Sequence, residues 1–252
     1  MSAITRAIQA IDLLARKGPL GVRAVAQQLN LPLGSVHRML LDLAAERVVE
    51  RNAEGAWELS YRLLEITGLQ LDRVEFARLA RPFCEKMAAA TRETVNVNVL
   101  TGLSAVCVDK VRGNEGMQLD WRIGSRGPLY CGGAAKALLA YLGEAEQERV
   151  IAGELTPYTP KTITDPRALR AELARIRQRG YAIDNQEVVL GVFCVAVPIL
   201  DRLGHPVGAL SITGPRPKAP GPEVMPLVDM LNEACEHISR RIGYAGPWPP
   251  LR

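Results

Sequence analysis

Residues 20–49 read LGVRAVAQQLNLPLGSVHRMLLDLAAERVV. Val25, Ala26 and Leu29 fall on one side of a helix running from about Val22 to Leu29. Asn30-Leu31-Pro32 breaks that helix, because proline has no amide hydrogen and keeps the residue before it out of the helical region. A further helix then sets Val36, Leu40 and Leu43 at i, i+4 and i+7, with Met39 beside them. Its opposite side shows Gly34, Ser35, His37, Arg38, Leu41 and Asp42. Two short helices joined by a tight turn, the second turning a mixed polar face outward, form a helix-turn-helix. Such a face is what a helix entering the major groove of DNA requires.

The flanks complete this unit. Residues 4–16 carry Ile4, Ile8, Ile11 and Leu14 at helical spacing, and Gly18-Pro19 stops them. VVERNAEGAWEL (48–59) reads as two short strands around Asn52-Ala53-Glu54-Gly55, residues with turn chemistry, and so as a wing. Arg23, Arg38, Arg47 and Arg51 are candidates for phosphate contacts, while Ser35, His37 and Arg38 are placed for base edges. Asp42, Glu46, Glu50 and Glu54 would repel phosphate if they faced it, so any positive field is local. Three-helix units of this spacing also serve as interaction modules, and the pattern alone leaves both readings open.

Tyr61 to Leu71 is helical and suited to a linker, and Glu75 to Thr91 forms a longer amphipathic helix carrying Phe76, Leu79, Phe83 and Met87. Beyond Thr94 the texture changes. TVNVNVL (94–100) alternates strictly, SAVCVDKV (104–111) follows a Thr101-Gly102 turn, and MQLDWRI (117–123) puts Met117, Leu119, Trp121 and Ile123 on one face. Trp121 on that face suits a core, or secondarily a pocket wall. GSRGPLYCGGAAKALLAYL (124–142) is a glycine-rich loop entering a helix. Asp165-Pro166 starts another helix, with Leu169, Leu173 and Ile176 inward and Gly180 at its end. FCVAVPIL (193–200) and PVGALSIT (206–213) are strands around an Asp201–Gly204 loop. Val224, Leu227, Leu231, Ala234 and Ile238 mark a last helix, and the proline-rich tail after Gly243 is expected to have little structure. The expected organisation is α+β: a winged helix over 1–60, a linker helix over 61–74, and a C-terminal domain over 75–252 with a largely antiparallel sheet.

The composition, 48% hydrophobic and 23% charged over 252 residues with a net charge of +4, is that of an ordinary globular protein. It permits nucleic-acid binding without demanding it. No apolar run reaches the roughly 18–20 residues of a membrane span and no secretory signal opens the chain, so a cytoplasmic protein without membrane attachment is expected. The five cysteines (Cys84, Cys107, Cys131, Cys194, Cys235) are scattered, without a CxxC, and the three histidines form no ligand pair. Neither a disulfide framework, a metal site nor a cofactor is expected.

Three segments in order carry a family resemblance: VAQQLNLPLGSVHRMLLDL (25–43), GSRGPLYCGGAAKALLAYL (124–142), and RGYAIDNQEVVLGVFCVAVPILDRLGHPVGALSITGP (179–215). Together they resemble the IclR family of bacterial transcriptional regulators over nearly the whole chain. The resemblance implies a winged helix, a linker helix, and a GAF-like (profilin-like) domain that binds a small, usually anionic, effector. It further implies a homodimer, or a dimer of such dimers, on a pseudo-palindromic operator in double-stranded DNA. By position the effector site falls on Met117 and Leu119, Gly133 and Ala134, Asp184, Val192 and Cys194, and Ser211 and Thr213. Strand parity agrees, since each pair two residues apart faces the same side. Gly132 and Gly133 allow close backbone approach where free amides and the helix dipole favour a carboxylate. Ser211 and Thr213 add hydroxyls, and Asp184 would accept from a ligand hydroxyl or a water.

The chain departs from the family pattern at Leu33 and Gly34, where a basic residue and a hydroxyl are usual. It departs again at Tyr130, Gly132 and Gly133, where the family loop carries histidine and serine or threonine. Tyr130 is then expected to narrow the site or reach the ligand. Asn185-Gln186 replaces a more acidic pair. The plainer alternatives are that Gly132-Gly133 is a simple turn and that Ser211 and Thr213 are satisfied within a sheet. A second functional class is a GAF-like thiol enzyme using Cys194. A nucleophilic thiol needs a nearby base or cation, and the apolar FCVAV setting works against one.

Overall fold

The computed structural model describes residues 2–71, 75–113, 121–215 and 222–250. The chain forms two compact units, Met1–Arg73 and Val74–Arg252.

The first unit contains α1 (Ala3–Lys17), α2 (Val22–Leu29), α3 (Leu33–Ala45), β1 (Val49–Arg51), β2 (Trp57–Leu59) and α4 (Arg62–Leu71). Ser2 caps α1 by accepting the Thr5 N–H at 3.1 Å, relieving one of the unpaired amides of a helix start. Asn30 ends α2 in the left-handed conformation, φ +53°, a geometry that asparagine tolerates better than most residues. Val25, Val36, Leu40, Val49 and Trp57 close the core of this unit. Leu20 exchanges backbone hydrogen bonds of 2.9 Å with Trp57, extending the two-stranded wing toward the helices.

The second unit has three layers. Its sheet is β5-β4-β3-β8-β7-β6, antiparallel at every pairing. The strands are β3 (Thr94–Thr101), β4 (Ser104–Val111), β5 (Arg126–Pro128), β6 (Ala182–Asn185), β7 (Phe193–Leu200) and β8 (Pro206–Gly214). One face, through Val95, Val97, Val195, Val197, Leu210 and Ile212, packs on α5 (Glu75–Thr91) and α9 (Met225–Arg241). The other face receives α6 (Gly133–Tyr141) and α8 (Pro166–Arg179), with α7 (Glu144–Ile151) outside them. Every residue of α6 is buried, so this helix is the middle of the second core. Asp165 caps α8 by accepting the Arg167 N–H at 2.8 Å, and Gly180 ends it at φ +83°.

Two expectations are corrected. Within MQLDWRI, residues 117–120 lie outside the described residues, and Trp121 to Ile123 form no strand; Ile123 is 55% exposed, while the Trp121 ring lies against Gly127. The tail after Gly243 is not loose. Tyr244 and Trp248 meet edge to face at 6.1 Å, and the Arg240 guanidinium donates to the carbonyls of Tyr244 and Gly246 at 3.2 and 2.7 Å. Aromatic area with an arginine anchor is enough to hold a proline-rich segment down. Among the described residues no helix is long and apolar enough to cross a membrane.

Candidate functional site

In the first unit, Val36 and Leu40 of α3 are fully buried, which turns Ser35, His37 and Arg38 outward. Arg23, Arg47 and Arg51 are exposed as well. The wing is tied by Asn52, whose side-chain oxygen accepts the N–H groups of Glu54 and Ala56 at 3.1 and 3.0 Å. Arg51 lies over the Trp57 ring at 4.6 Å and reaches Nε2 of His37 at 3.4 Å. Strand and recognition helix thus present Arg51, His37 and Arg38 as one polar surface. Arg23 borders a shallow cleft with Gln27, Asn30 and Leu33. Arg47 stands just past α3 in the left-handed region, φ +60°, with its carbonyl accepting from the Ser60 hydroxyl.

The second unit holds a cavity of about 280 Å³ between the sheet and the start of α6. The sheet register builds its floor. Thr94 on β3 stands opposite Thr213 on β8, Thr213 opposite Cys194 on β7, and Cys194 opposite Asp184 on β6. A second row places Lys110, Asn96, Ser211 and Ala196 side by side. Gly132, Gly133, Ala134 and Ala135 form the roof, and Val188, Val189, Val192 and Trp121 supply apolar walls. A Cβ on Gly133 would stand 2.8 Å from the Cys194 sulfur, so helix and strand meet there at glycine distance.

The site residues expected from sequence distribute as follows. Gly133, Ala134, Asp184, Val192, Cys194, Ser211 and Thr213 all line the cavity. Met117 and Leu119 lie outside the described residues. Tyr130 does not reach the cavity: its hydroxyl donates to the Thr156 carbonyl at 3.0 Å, and its ring tilts against Tyr158.

Sequence reasoning missed a buried polar cluster behind the cavity. Lys136, on the second turn of α6, donates to the Ile183 carbonyl at 2.7 Å and to the Glu187 carboxylate. Asp184 accepts the Glu187 N–H at 2.6 Å. Burial raises the carboxyl of Glu187 to about 7, against the pull of Lys136 and the Gly132 amide. Burial also raises that of Asp184, opposed by the amides of Glu187 and Val188 and by Lys136. The available signal was one charge in an otherwise apolar helix, GAAKALLAY, since a lysine there must find partners. Asn96 and Asn98 were also missed as cavity residues, although they share the polar side of an alternating strand.

Cys194 is buried, and burial pushes its thiol up to about 11, only partly offset by hydrogen bonds from Thr213, Ser211 and the Ala134 amide. The histidines of this unit lie elsewhere, His205 with its Nδ1 3.9 Å from Asp201 Oδ2 and His237 against Phe83.

Comparison with known proteins accords with both units. Residues 3–53 match the IclR helix-turn-helix domain, and residues 69–240 match the family described as bacterial transcriptional regulator IclR C-terminal. The chain is 31% identical over 239 residues to the HTH-type transcriptional regulator BhcR of Paracoccus denitrificans, covering 94% of this chain and 86% of that protein. It superposes on the crystal structure of Thermotoga maritima IclR with a TM-score of 0.83 and 32% identity, over 96% of this chain and 98% of that one. An IclR homologue from Microbacterium hydrocarbonoxydans, crystallised with 4-hydroxybenzoate, gives a TM-score of 0.84 at 25% identity, covering 96% and 99% of the two chains. Winged helix, three-layered second unit and both family matches lead to one assignment: the chain belongs to the IclR family of bacterial transcriptional regulators.

Proposed function

We propose that this protein binds a specific operator in double-stranded DNA and that a small acid held in the 280 Å³ cavity changes its grip. The observation that carries the proposal is the cavity itself, walled mostly by carbon and floored by hydroxyl, amide and thiol groups on four adjacent strands. That combination suits a small metabolite with a few polar groups. The 4-hydroxybenzoate bound by the Microbacterium relative supports the same class. On this reading Gly133, Ala134, Asp184, Val192, Cys194, Ser211 and Thr213 contact the effector, together with Met117 and Leu119 as the family resemblance implies. Ser35, His37 and Arg38 read bases; Arg23, Arg47 and Arg51 hold phosphates.

The functional division is a winged helix over 1–60, a linker helix over 61–74 and an effector domain over 75–252. A homodimer, alone or as a dimer of dimers, sets two recognition helices about 34 Å apart on a pseudo-palindromic site. Coupling between effector and operator of about 1–3 kcal/mol is the usual scale. A mobility-shift titration tests this: the full chain shifts DNA from beside its own gene, and a small carboxylate alters the affinity roughly 5- to 150-fold. Loss of any response across aliphatic and aromatic acids, with no thermal stabilisation by them, would remove the effector half.

The thiol-enzyme alternative is not favoured. Burial pushes the Cys194 thiol up to about 11, which works against the thiolate a nucleophile needs.

A further inference from the structure

We propose that Lys110 receives the carboxylate of the effector and that Asp184 keeps the opposite end of the cavity clear of a second one, so that the site takes monoacids. The proposal rests on the effector reading above and deepens it.

Lys110 lies on β4 between two residues committed to the other face of the sheet. Asp109 is salt-bridged to Arg81 of α5 at 2.9 Å, and Val111 packs on the core shared with α5 and α9. Strand alternation therefore turns Lys110 to the cavity, which it lines beside Asn96, its partner on β3. The residue is half-buried, and its ammonium donates to the Trp121 carbonyl at 2.8 Å. That bond fixes the cation beside the Trp121 wall, while a neutral carbonyl cancels none of its charge. An ammonium carries three donors, enough to hold this carbonyl and a carboxylate together.

Among the described residues that line the cavity, only Lys110 and Asp184 carry a formal charge. Asp184, 4% exposed, is on β6, and β3, β8 and β7 lie between it and β4. Four strand spacings amount to about 19 Å between backbones, so the two charges mark opposite ends of the floor. An acid entering between Ala105, Val188 and Trp121 gives up much of its water, and a buried carboxylate needs a cation or several donors in return. Lys110 supplies the cation at the β4 end. A second carboxylate, carried toward β6, would approach Asp184 across carbon walls that screen like charges poorly. Asp184 is held there, because its oxygen accepts the Glu187 N–H at 2.6 Å. The two charges thus orient a monoacid and reject a diacid of the same shape.

The test is calorimetric titration of the full chain with benzoate, 4-hydroxybenzoate and pyruvate, each beside its neutral amide, and with terephthalate and succinate, each beside its mono-amide. Wild type, Lys110→Arg and Lys110→Met are compared; melting curves show whether each folds, and Lys110→Gln takes the place of the methionine variant if that one does not. Wild type is expected to bind at least one monoacid more tightly than its amide, by roughly tenfold or more. In the shape class that binds, the mono-amide should outbind the diacid. Lys110→Met should weaken the acid roughly 10- to 100-fold and leave the amide unchanged, while Lys110→Arg, which keeps the charge, should hold most of the affinity. Equal losses of acid and amide would mean that Lys110 only props the Trp121 wall, and an unaltered preference for the acid would mean that another group holds the carboxylate. Either result overturns the role of Lys110 and leaves the effector reading standing. Failure of the mono-amide to outbind its diacid overturns the role of Asp184. If no acid binds and none alters DNA affinity, both readings fall together.

Discussion

Lys136 buries its ammonium against the Glu187 carboxylate, with the Ile183 carbonyl at 2.7 Å as second acceptor. The pair sits behind the 280 Å³ cavity, where α6 meets the turn after β6. A cation with 1% exposure cannot turn to solvent, so its partners must remain in place. Lys136→Met is expected to cost about 3–5 kcal/mol of stability, because it strands Glu187 in an apolar setting. Adding Glu187→Leu should recover most of that loss. Urea unfolding of both variants at pH 7.5 measures it, and simple additivity of the two substitutions would show that the residues are not coupled.

The same carboxyl makes stability depend on pH. Glu187 is held at about 7 in the fold against an ordinary 4.5. Between those values the folded protein keeps a proton that the unfolded chain has released. The favourable contribution is therefore complete below about 4.5 and disappears as pH rises through about 7. Compared with Glu187→Gln, wild type should lose on the order of 2 kcal/mol between pH 5 and pH 8. Denaturant midpoints across that range decide the matter; a difference independent of pH contradicts it.

On the DNA side, Arg38 is exposed on α3, and no ion pair engages it among the described residues. Arg38→Ala should leave stability within about 0.5 kcal/mol. It should weaken operator binding by about 1–3 kcal/mol if the guanidinium reads a base. A purely phosphate contact would instead lower the slope of log affinity against log salt by about one and weaken all sequences alike. Titrations at several salt concentrations on operator and random DNA separate these outcomes. Unchanged binding to both would mean that the outward face of α3 does not touch DNA.

Gly133→Ala tests the approach of helix to strand. The new methyl would stand 2.8 Å from the Cys194 sulfur and 3.3 Å from the Cys194 carbonyl. Overpacking of this kind costs about 1–3 kcal/mol, and the methyl intrudes on the cavity. Adding Cys194→Ala removes the sulfur and should restore at least about 1 kcal/mol. Thermal melts of the single and double variants give the answer, with no restoration counting against the contact.

The first unit was legible because its elements are punctuated locally. Asn30-Leu31-Pro32 breaks the helix, Val36 and Leu40 set the buried stripe, and Asn52 to Gly55 make the turn, all within a few residues of what they control. The strands and helix boundaries of the second unit were legible for the same reason, as at Asp165-Pro166 and Gly180. What could not be read was pairing across the sheet. That Asn96 faces Ser211, or that Lys136 reaches a residue 51 positions away, depends on long-range register that local spacing does not encode. Tyr130 shows the converse. Its position near the glycine loop suggested a ligand contact, but the Thr156 carbonyl, 26 residues on, takes its hydroxyl.

Alternation along β3, β7 and β8 has a consequence for how proteins of this kind diversify. Val95, Val195 and Ile212 hold the sheet to α5 and α9, while Asn96, Cys194 and Ser211, one residue further on or back, face the cavity. Substitutions that reshape the cavity thus fall on positions interleaved with the supporting core but pointing away from it. The lining of the cavity can therefore change along the same three strands with little disturbance to the scaffold that carries it.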